Sequence, residues 1–347
     1  MTRPRFLAAF TAFAASLAAV ASPAAASPDD LEETFAATFG TEVRQPPSFE
    51  ALYANNFQQR IAELADPAQG RIGVAAVDLA TGEEIMVLGD QLFPMASTSK
   101  VAVAATFLEM VEQGRYSLTS EFPLMLPIPS AKYSSAKAPV RAGQTMSAID
   151  LIEIMITRSS NPATDALLAA VGGPGPVNDW MRRQGITNFS INRDIATLVR
   201  DDGEYNPATT IDTRDAATPR AMVRLLAGLY RGDFLSDQSR QVLLGAMSRT
   251  VTGKRRIPAY MPLEARVSHK TGSLSNTSSD VGIIECPDGR VIAVAIYVTG
   301  QGGKAQREER IAAIARALYD GFAIKAQTIL AQDPTRNWTS APYATGG

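Results

Sequence analysis

The sequence predicts an α/β (α+β) fold: an antiparallel sheet built from both ends of the chain, flanked by helices, with an all-helical lobe inserted in the middle. Three observations predict it. Strand-like runs come early and late, apolar helical periods fill the centre, and the outer runs carry hairpin-type turns instead of crossover helices. With 347 residues, 46% hydrophobic and 20% charged, the chain is long enough to bury a substantial core.

Residues 1–26 read as an export signal. Arg3 and Arg5 precede an apolar run from Phe6 to Val20, and Ala24-Ala25-Ala26 supplies a small-residue cleavage site. The run is too short and too alanine-rich for a membrane span, so a periplasmic or secreted protein with no stable membrane insertion is expected. A polar lead-in covers 27–46, the main domain 47–330 with its helical lobe at about 98–218, and a tail 331–347.

Within the domain each element has its own signal. Phe49, Leu52, Tyr53, Phe57, Ile61 and Leu64 recur at spacings of three and four, giving a helix over 47–65. Runs at 71–79 and 84–88 flank Ala80-Thr81-Gly82 as a hairpin. Residues 97–113 are apolar around most of the circumference and form a buried helix. Helices follow at 148–157, 163–171 and 177–184, with Gly172-Gly173 and Gly185 as stops. The stretch 186–218 lacks either period and reads as a long loop, a class of segment that usually serves function. Helices return at 219–231 and 237–248. Strands at 266–271, 280–285 and 291–299 complete the sheet, Pro287-Asp288-Gly289 turning between the last two. A last helix spans 308–324.

Composition narrows the chemistry. Lys+Arg and Asp+Glu nearly balance at 33 and 35, which gives nothing to neutralise a row of phosphates, so nucleic acid is not an expected partner. One His and one Cys cannot supply the three or four N/S ligands of a zinc site. Any Ser-His-Asp arrangement would have to use His269. Cys286 has no partner for an intramolecular disulfide and reads as a small buried hydrophobe.

Three constellations remain. Ser97 and Lys100, in Ser97-Thr98-Ser99-Lys100, lie three apart on one helical face at the start of the buried helix. A hydroxyl beside an amine whose pKa burial lowers is a nucleophile that needs no histidine. The tetrad alone reads equally as an N-cap serine with a surface lysine, but Val101 to Leu108 are almost all apolar, so this lysine begins a core helix. Ser159-Ser160-Asn161 sits between two helices, where a polar N-cap is also common. His269-Lys270-Thr271-Gly272-Ser273 lies on a strand, either a solvated edge or an anion-binding edge whose Gly272 lets a ligand backbone approach.

The three motifs in this order resemble those of the class A serine β-lactamases and, more distantly, the penicillin-binding proteins. The stretches RIGVAAVDLATGE, TMSAIDLIEIMITRSSNPATDALLAAVGG, TRDAATPRAM and VSHKTGS extend the likeness over roughly 55–325. The resemblance implies the serine β-lactamase/DD-peptidase fold and an acyl-enzyme hydrolase without metal or organic cofactor. Its substrate would be a small β-lactam or a cell-wall D-Ala-D-Ala peptide, and a monomer is expected. It further implies that Ser97 is acylated, Lys100 accepts its proton, Ser159 relays a proton to the leaving nitrogen, and Lys270 holds Ser159 and the local field. Asn161 would bind the substrate amide, Thr271 and Ser273 the carboxylate, and the N–H groups of Ser97 and Ser273 the oxyanion. Tyr133 takes the place of an aromatic wall residue and Arg256 that of a carboxylate-reaching arginine. His269 falls where the family varies and is expected to be structural.

The sequence departs from the family in one loop. Where members carry Arg-x-Glu-x-x-Leu-Asn, Arg193-Asp194-Ile195-Ala196-Thr197-Leu198-Val199 stands here, with Ile195 in the Glu position and Val199 in the Asn position. Asp215 is present to pair with Arg193. Deacylation therefore needs another carboxylate, for which Asp194, Asp202 and Glu204 are the candidates, or it is slow. Ser160 also replaces the aspartate of the Ser-Asp-Asn form.

Overall fold

The computed structural model describes residues 56–332, with side chains to 323. The expected export signal, the lead-in and residues 333–347 of the tail lie outside the described residues.

A five-stranded antiparallel sheet runs in the order β2-β1-β10-β9-β8, from β1 (Arg71–Asp78), β2 (Glu84–Val87), β8 (Arg266–Leu274), β9 (Thr277–Glu285) and β10 (Val291–Thr299). The two chain ends meet where β1 pairs with β10, Arg71 opposite Thr299 and Asp78 opposite Ile292. Both faces are covered, so the central strands read as nearly continuous apolar runs, yet alternation still divides them. Ile72, Val74, Ile292, Val294, Ile296 and Val298 pack on one face with α1 (Asn56–Leu64) and α9 (Lys304–Gln332). Ala75, Val77, Ala293, Ala295 and Tyr297 face the other way, into the core shared with the central helices. A one-residue slip would exchange the two sets, which pins the register.

The second core centres on α2 (Lys100–Glu112), whose residues from Lys100 to Leu108 are all buried. Around it lie α3 (Ala148–Thr157), α4 (Asn161–Ala170), α5 (Pro174–Arg183), α7 (Pro219–Arg231) and α8 (Asp237–Ser248). Side-chain caps set several of these starts: Ser147 accepts from Asp150 N–H, Ser160 from Ala163 N–H and Thr218 from Ala221 N–H. Among the described residues no helix is long and apolar enough to cross a membrane.

Three expectations need correction. The helix expected over 97–113 opens as a 3₁₀ turn, Ala96–Ser99, before α2 begins. Thr98 Oγ1 bonds back to Met95 O at 2.8 Å and Ser99 Oγ to Ala96 O at 2.9 Å, and this local bonding tightens the first turn. The lobe expected to be all-helical carries a hairpin, β4 (Glu121–Pro127) with β5 (Val140–Ser147). Its strands are half-exposed and punctuated by Pro123 and Pro127, so neither alternation nor burial advertises them. The stretch 186–218, expected as loop, holds β6 (Phe189–Ser190), α6 (Ile195–Arg200) and β7 (Ala216–Ala217). β7 pairs with both β6 and β3 (Phe93–Pro94), the two residues leading into the 3₁₀ turn.

That small sheet and the edge strand β8 together place the 3₁₀ turn. Met95 N–H donates to Asp215 O at 3.1 Å, and Thr98 Oγ1 meets Tyr297 Oη at 3.1 Å in the interior. On the β8 side the approach requires Gly272, since a Cβ there would lie 2.6 Å from Met95 O and also strike Ser279 Oγ. Gly272→Ala therefore pushes β8 away from the turn. A loss of at least about tenfold in reactivity at Ser97, with the fold retained by circular dichroism, is expected; unchanged reactivity would show that the contact is slack.

Candidate active site

Three chain segments meet at one hydroxyl. Lys100, at the first position of α2, is fully buried. Its ammonium donates to Ser159 O at 2.8 Å, Asn161 Oδ1 at 2.7 Å and Ser159 Oγ at 3.2 Å, which uses all three N–H donors. Lys270, also fully buried, reaches from β8 and donates to Ser159 Oγ at 2.9 Å and to Thr271 O at 2.9 Å. Ser159 Oγ is thus held between two amines. Burial, followed by the repulsion of Lys270, holds the Lys100 ammonium far below the usual lysine range. Burial, partly offset by Asp280, brings Lys270 down to about 7. Two like charges sharing one acceptor do not both stay protonated near neutrality.

Backbone conformation contributes to this placement. Ala96, Tyr133 and Ser159 adopt φ of 49°, 58° and 57°, the left-handed region that costs a non-glycine residue about 1–3 kcal/mol. Two of these are Ser159 itself and the residue before Ser97. Ser97 is half-buried on the 3₁₀ turn that feeds α2, so it shares one short helical segment with Lys100.

The β8 wall is organised from behind. Arg256 is buried, and its guanidinium donates to Gly272 O at 2.8 Å, Ser279 O at 2.7 Å and Ser273 Oγ at 2.6 Å, with Glu308 as its counter-ion at 3.1 Å. A guanidinium only donates, so Ser273 Oγ is forced to accept and its own proton is left to point elsewhere. Ser273 is exposed. Arg256, expected from the resemblance to reach a substrate carboxylate, here lies beneath the strand and orients the hydroxyl that does face outward. Thr271 Oγ1 is paired with Thr252 Oγ1 at 2.8 Å. His269 is buried with Nδ1 2.9 Å from the Asp280 carboxylate, an interior pair under the strand and away from the reacting edge. Asn161, its Oδ1 held by Lys100, lines a cleft of about 350 Å³ with Met125, Ile128, Ile195 and Val199.

The three acidic residues offered as substitute bases are engaged elsewhere. Asp194 caps α6, accepting Thr197 N–H at 2.8 Å. Asp202 accepts Ser275 N–H with both oxygens, at 2.8 and 3.0 Å. Glu204 pairs with Arg214 at 2.6 Å. The expected Arg193–Asp215 pair is present at 2.6 Å, and Asp215 Oδ1 also accepts Asn192 N–H at 2.9 Å. Tyr133 is half-exposed and donates its N–H to Asp201 at 2.8 Å. Among the described residues no group of three or more His, Cys, Asp and Glu side chains is placed to hold a metal ion.

Asp165 is the functional residue that sequence reasoning missed. Its buried carboxylate accepts the N–H groups of Ile195 at 2.7 Å and Ala196 at 2.8 Å, anchoring the start of α6, and it lines the cleft beside Asn161. Spacing could have found it, because residues 161 and 165 are four apart on one helical face. Burial raises its carboxyl to about 6 against the pull of the two backbone donors, and Lys100 is close enough to favour the ionised form.

This carries a pH prediction. The folded state keeps the Asp165 proton up to about pH 6, whereas the unfolded chain releases it near the ordinary aspartate value, so the native state binds the extra proton between those limits. The contribution to stability is largest at low pH and declines as pH rises through 6. Relative to Asp165→Asn, the wild type should lose about 2 kcal/mol between pH 4.5 and 7 in urea denaturation. A constant difference would show that Asp165 titrates normally.

Residues 56–322 match the model of the β-lactamase enzyme family. The β-lactamase CTX-M-25 of Escherichia coli is 33% identical over 272 residues, covering 78% of this chain and 90% of the relative. The crystal structure of a β-lactamase from Chitinophaga pinensis superposes with a TM-score of 0.68 at 28% identity, covering 77% of this chain and all of that one. An acyl-enzyme complex of a leucine-to-glutamate variant of PBP-A with penicillin G gives 0.66 at 28% identity, covering 78% and 97%. The matched span contains all three motifs and the whole described sheet, and the chain belongs to the class A serine β-lactamase family.

Proposed function

We propose that the protein is an exported serine hydrolase that opens β-lactam amides through an acyl-Ser97 intermediate and releases the acyl group slowly. The observation that carries the first part is the Ser159 hydroxyl held between Lys100 and Lys270 next to the Ser97 turn. In its neutral form Lys100 takes the Ser97 proton as Oγ attacks the lactam carbonyl. The oxyanion is received by the N–H groups of Ser97 and Ser273, donors worth about 10²–10³ each in rate. Collapse breaks the ring C–N bond, Ser159 gives its proton to the departing nitrogen, and an adjacent ammonium restores it. The free hydroxyl of Ser273, oriented by Arg256, and Thr271 receive the substrate carboxylate. The nitrogen end of Asn161 is left for the substrate amide, since Oδ1 is occupied.

Slow release rests on the α6 segment. Ile195 and Val199 occupy the positions where the family keeps the Glu and Asn that orient the hydrolytic water, and Asp194, Asp202 and Glu204 are committed to other partners. Apolar side chains neither orient nor deprotonate water. The same observation favours a second reading: a penicillin-binding, DD-peptidase-like protein, or one that stays acylated while sensing β-lactams or muropeptides.

Intact-mass measurement after mixing with benzylpenicillin tests both parts. A mass gain equal to the drug that persists for minutes or longer, and is absent in Ser97→Ala, is expected. Rapid return to the free mass would refute slow release, and no adduct would refute acylation. Ile195→Glu with Val199→Asn should speed deacylation by about 10²-fold or more; an unchanged rate would show that another group governs that step.

A further inference from the structure

A second cavity, of about 790 Å³ against about 350 Å³ for the cleft beside Asn161, lies between α8 and the first residues of β8. Its volume is that of a small-molecule site. Antiparallel pairing sets Arg266 opposite Glu285, Ser268 opposite Ile283 and Lys270 opposite Val281, so alternation puts Arg266 and Ser268 on the sheet face that carries Lys270. The two sites nevertheless stay separate. Thr250 Oγ1 donates to His269 O at 2.8 Å and Thr252 Oγ1 meets Thr271 Oγ1 at 2.8 Å, so the segment 250–252 closes the strand edge between them.

Two of the three charged groups lining the cavity are already engaged. Glu285 accepts Tyr230 Oη at 3.0 Å, while Arg240 pairs with Asp237 at 2.8 Å and donates to Tyr230 O. The third, Arg266, is exposed and pairs with no carboxylate among the described residues. Leu244, Val267 and Ile283 give the lining its apolar part. Gly245 lines the cavity from within α8. Glycine weakens a helix interior relative to alanine, and packing does not demand it here, since a Cβ would meet, within 4 Å, only the guanidinium end of Arg249, at 3.3 Å. A cation at a sheet edge also deters edge pairing, but that purpose calls for no glycine on the facing helix. What the missing side chain provides is room.

We propose that this cavity is a second binding site, for a small amphiphilic carboxylate that sets its anion on Arg266 and its hydrocarbon part against Leu244, Val267 and Ile283. A free guanidinium recognises a carboxylate through two parallel N–H···O bonds. An apolar lining with one unsatisfied charge suits a ligand with a single charged end. The site is independent of acylation at Ser97, so it stands or falls separately from the proposed function.

The probe is 4-phenylbutyrate, titrated into the full chain and followed by ¹H–¹⁵N NMR with assigned amides. Saturable shifts concentrated at 241–248 and 266–268 are expected, with a dissociation constant of about 1 mM or tighter. The uncharged analogue 4-phenylbutanamide should bind about tenfold more weakly or worse, and so should the carboxylate to Arg266→Gln. Gly245→Leu, which fills the cavity, should abolish these shifts; Arg266→Gln serves alone if that variant does not fold. Shifts confined to the surroundings of Ser97 and Lys270, equal binding of acid and amide, unchanged affinity in Arg266→Gln, or no saturation below about 10 mM would overturn the proposal.

Discussion

Two lysines without solvent share one serine hydroxyl, and much of the molecule serves that arrangement. Lys100 is buried because it begins the helix at the centre of the larger core. Lys270 is buried because β8, although the sheet edge, is covered where it passes the 3₁₀ turn. Burying an ammonium is costly unless it is hydrogen-bonded, and both are: to Ser159, Asn161 and Thr271 O. The remaining tension is relieved by giving up a proton, and a lysine that gives up its proton near neutral pH is a base. With one histidine, and that one locked to Asp280 under the strand, the proposed proton transfer draws on the desolvation of the two lysines.

The same economy appears in the α6 region. Asp165 is a buried carboxylate whose two oxygens hold two backbone N–H groups, and Arg193–Asp215 closes the segment at its base. Asp215 also accepts the N–H of Met95 through its carbonyl. Loop closure and the placement of the nucleophile turn are therefore one mechanical problem. The apolar Ile195 fits that construction: it is buried, its N–H is taken by Asp165, and its side chain lines a cleft wall. The chain continues from α6 to the β8–β9 turn, where Asp202 accepts the N–H of Ser275.

Much of this was legible in the sequence for physical reasons that can be named. The sheet was legible because strands covered on both faces are long apolar runs bounded by Gly and Pro-Asp-Gly turns. Ser97, Lys100, Ser159, Asn161 and Lys270 were legible as polar residues set into apolar elements, where polarity needs a reason. The hairpin β4–β5 was not, because half-exposed strands carrying Pro123 and Pro127 show no period. Nor was α6, whose N-terminus is capped partly by Asp165, a residue thirty positions away. The acidic residues of 194–204 were legible as carboxylates but not as partners of Thr197, Ser275 and Arg214. Long-range pairing decides their role, and nothing local encodes it.

The most direct test is a pH titration of the lysine side-chain nitrogens by ¹⁵N NMR, with the uncharged variants Lys100→Met and Lys270→Met used to assign the two buried signals and to remove each amine in turn. Shared occupancy of Ser159 predicts that at least one of them loses its proton below about pH 8, and that removing either amine moves the titration of the other upward. If both instead titrate above pH 10 and independently, the pair is a structural feature, and the proton acceptor for Ser97 must be sought elsewhere.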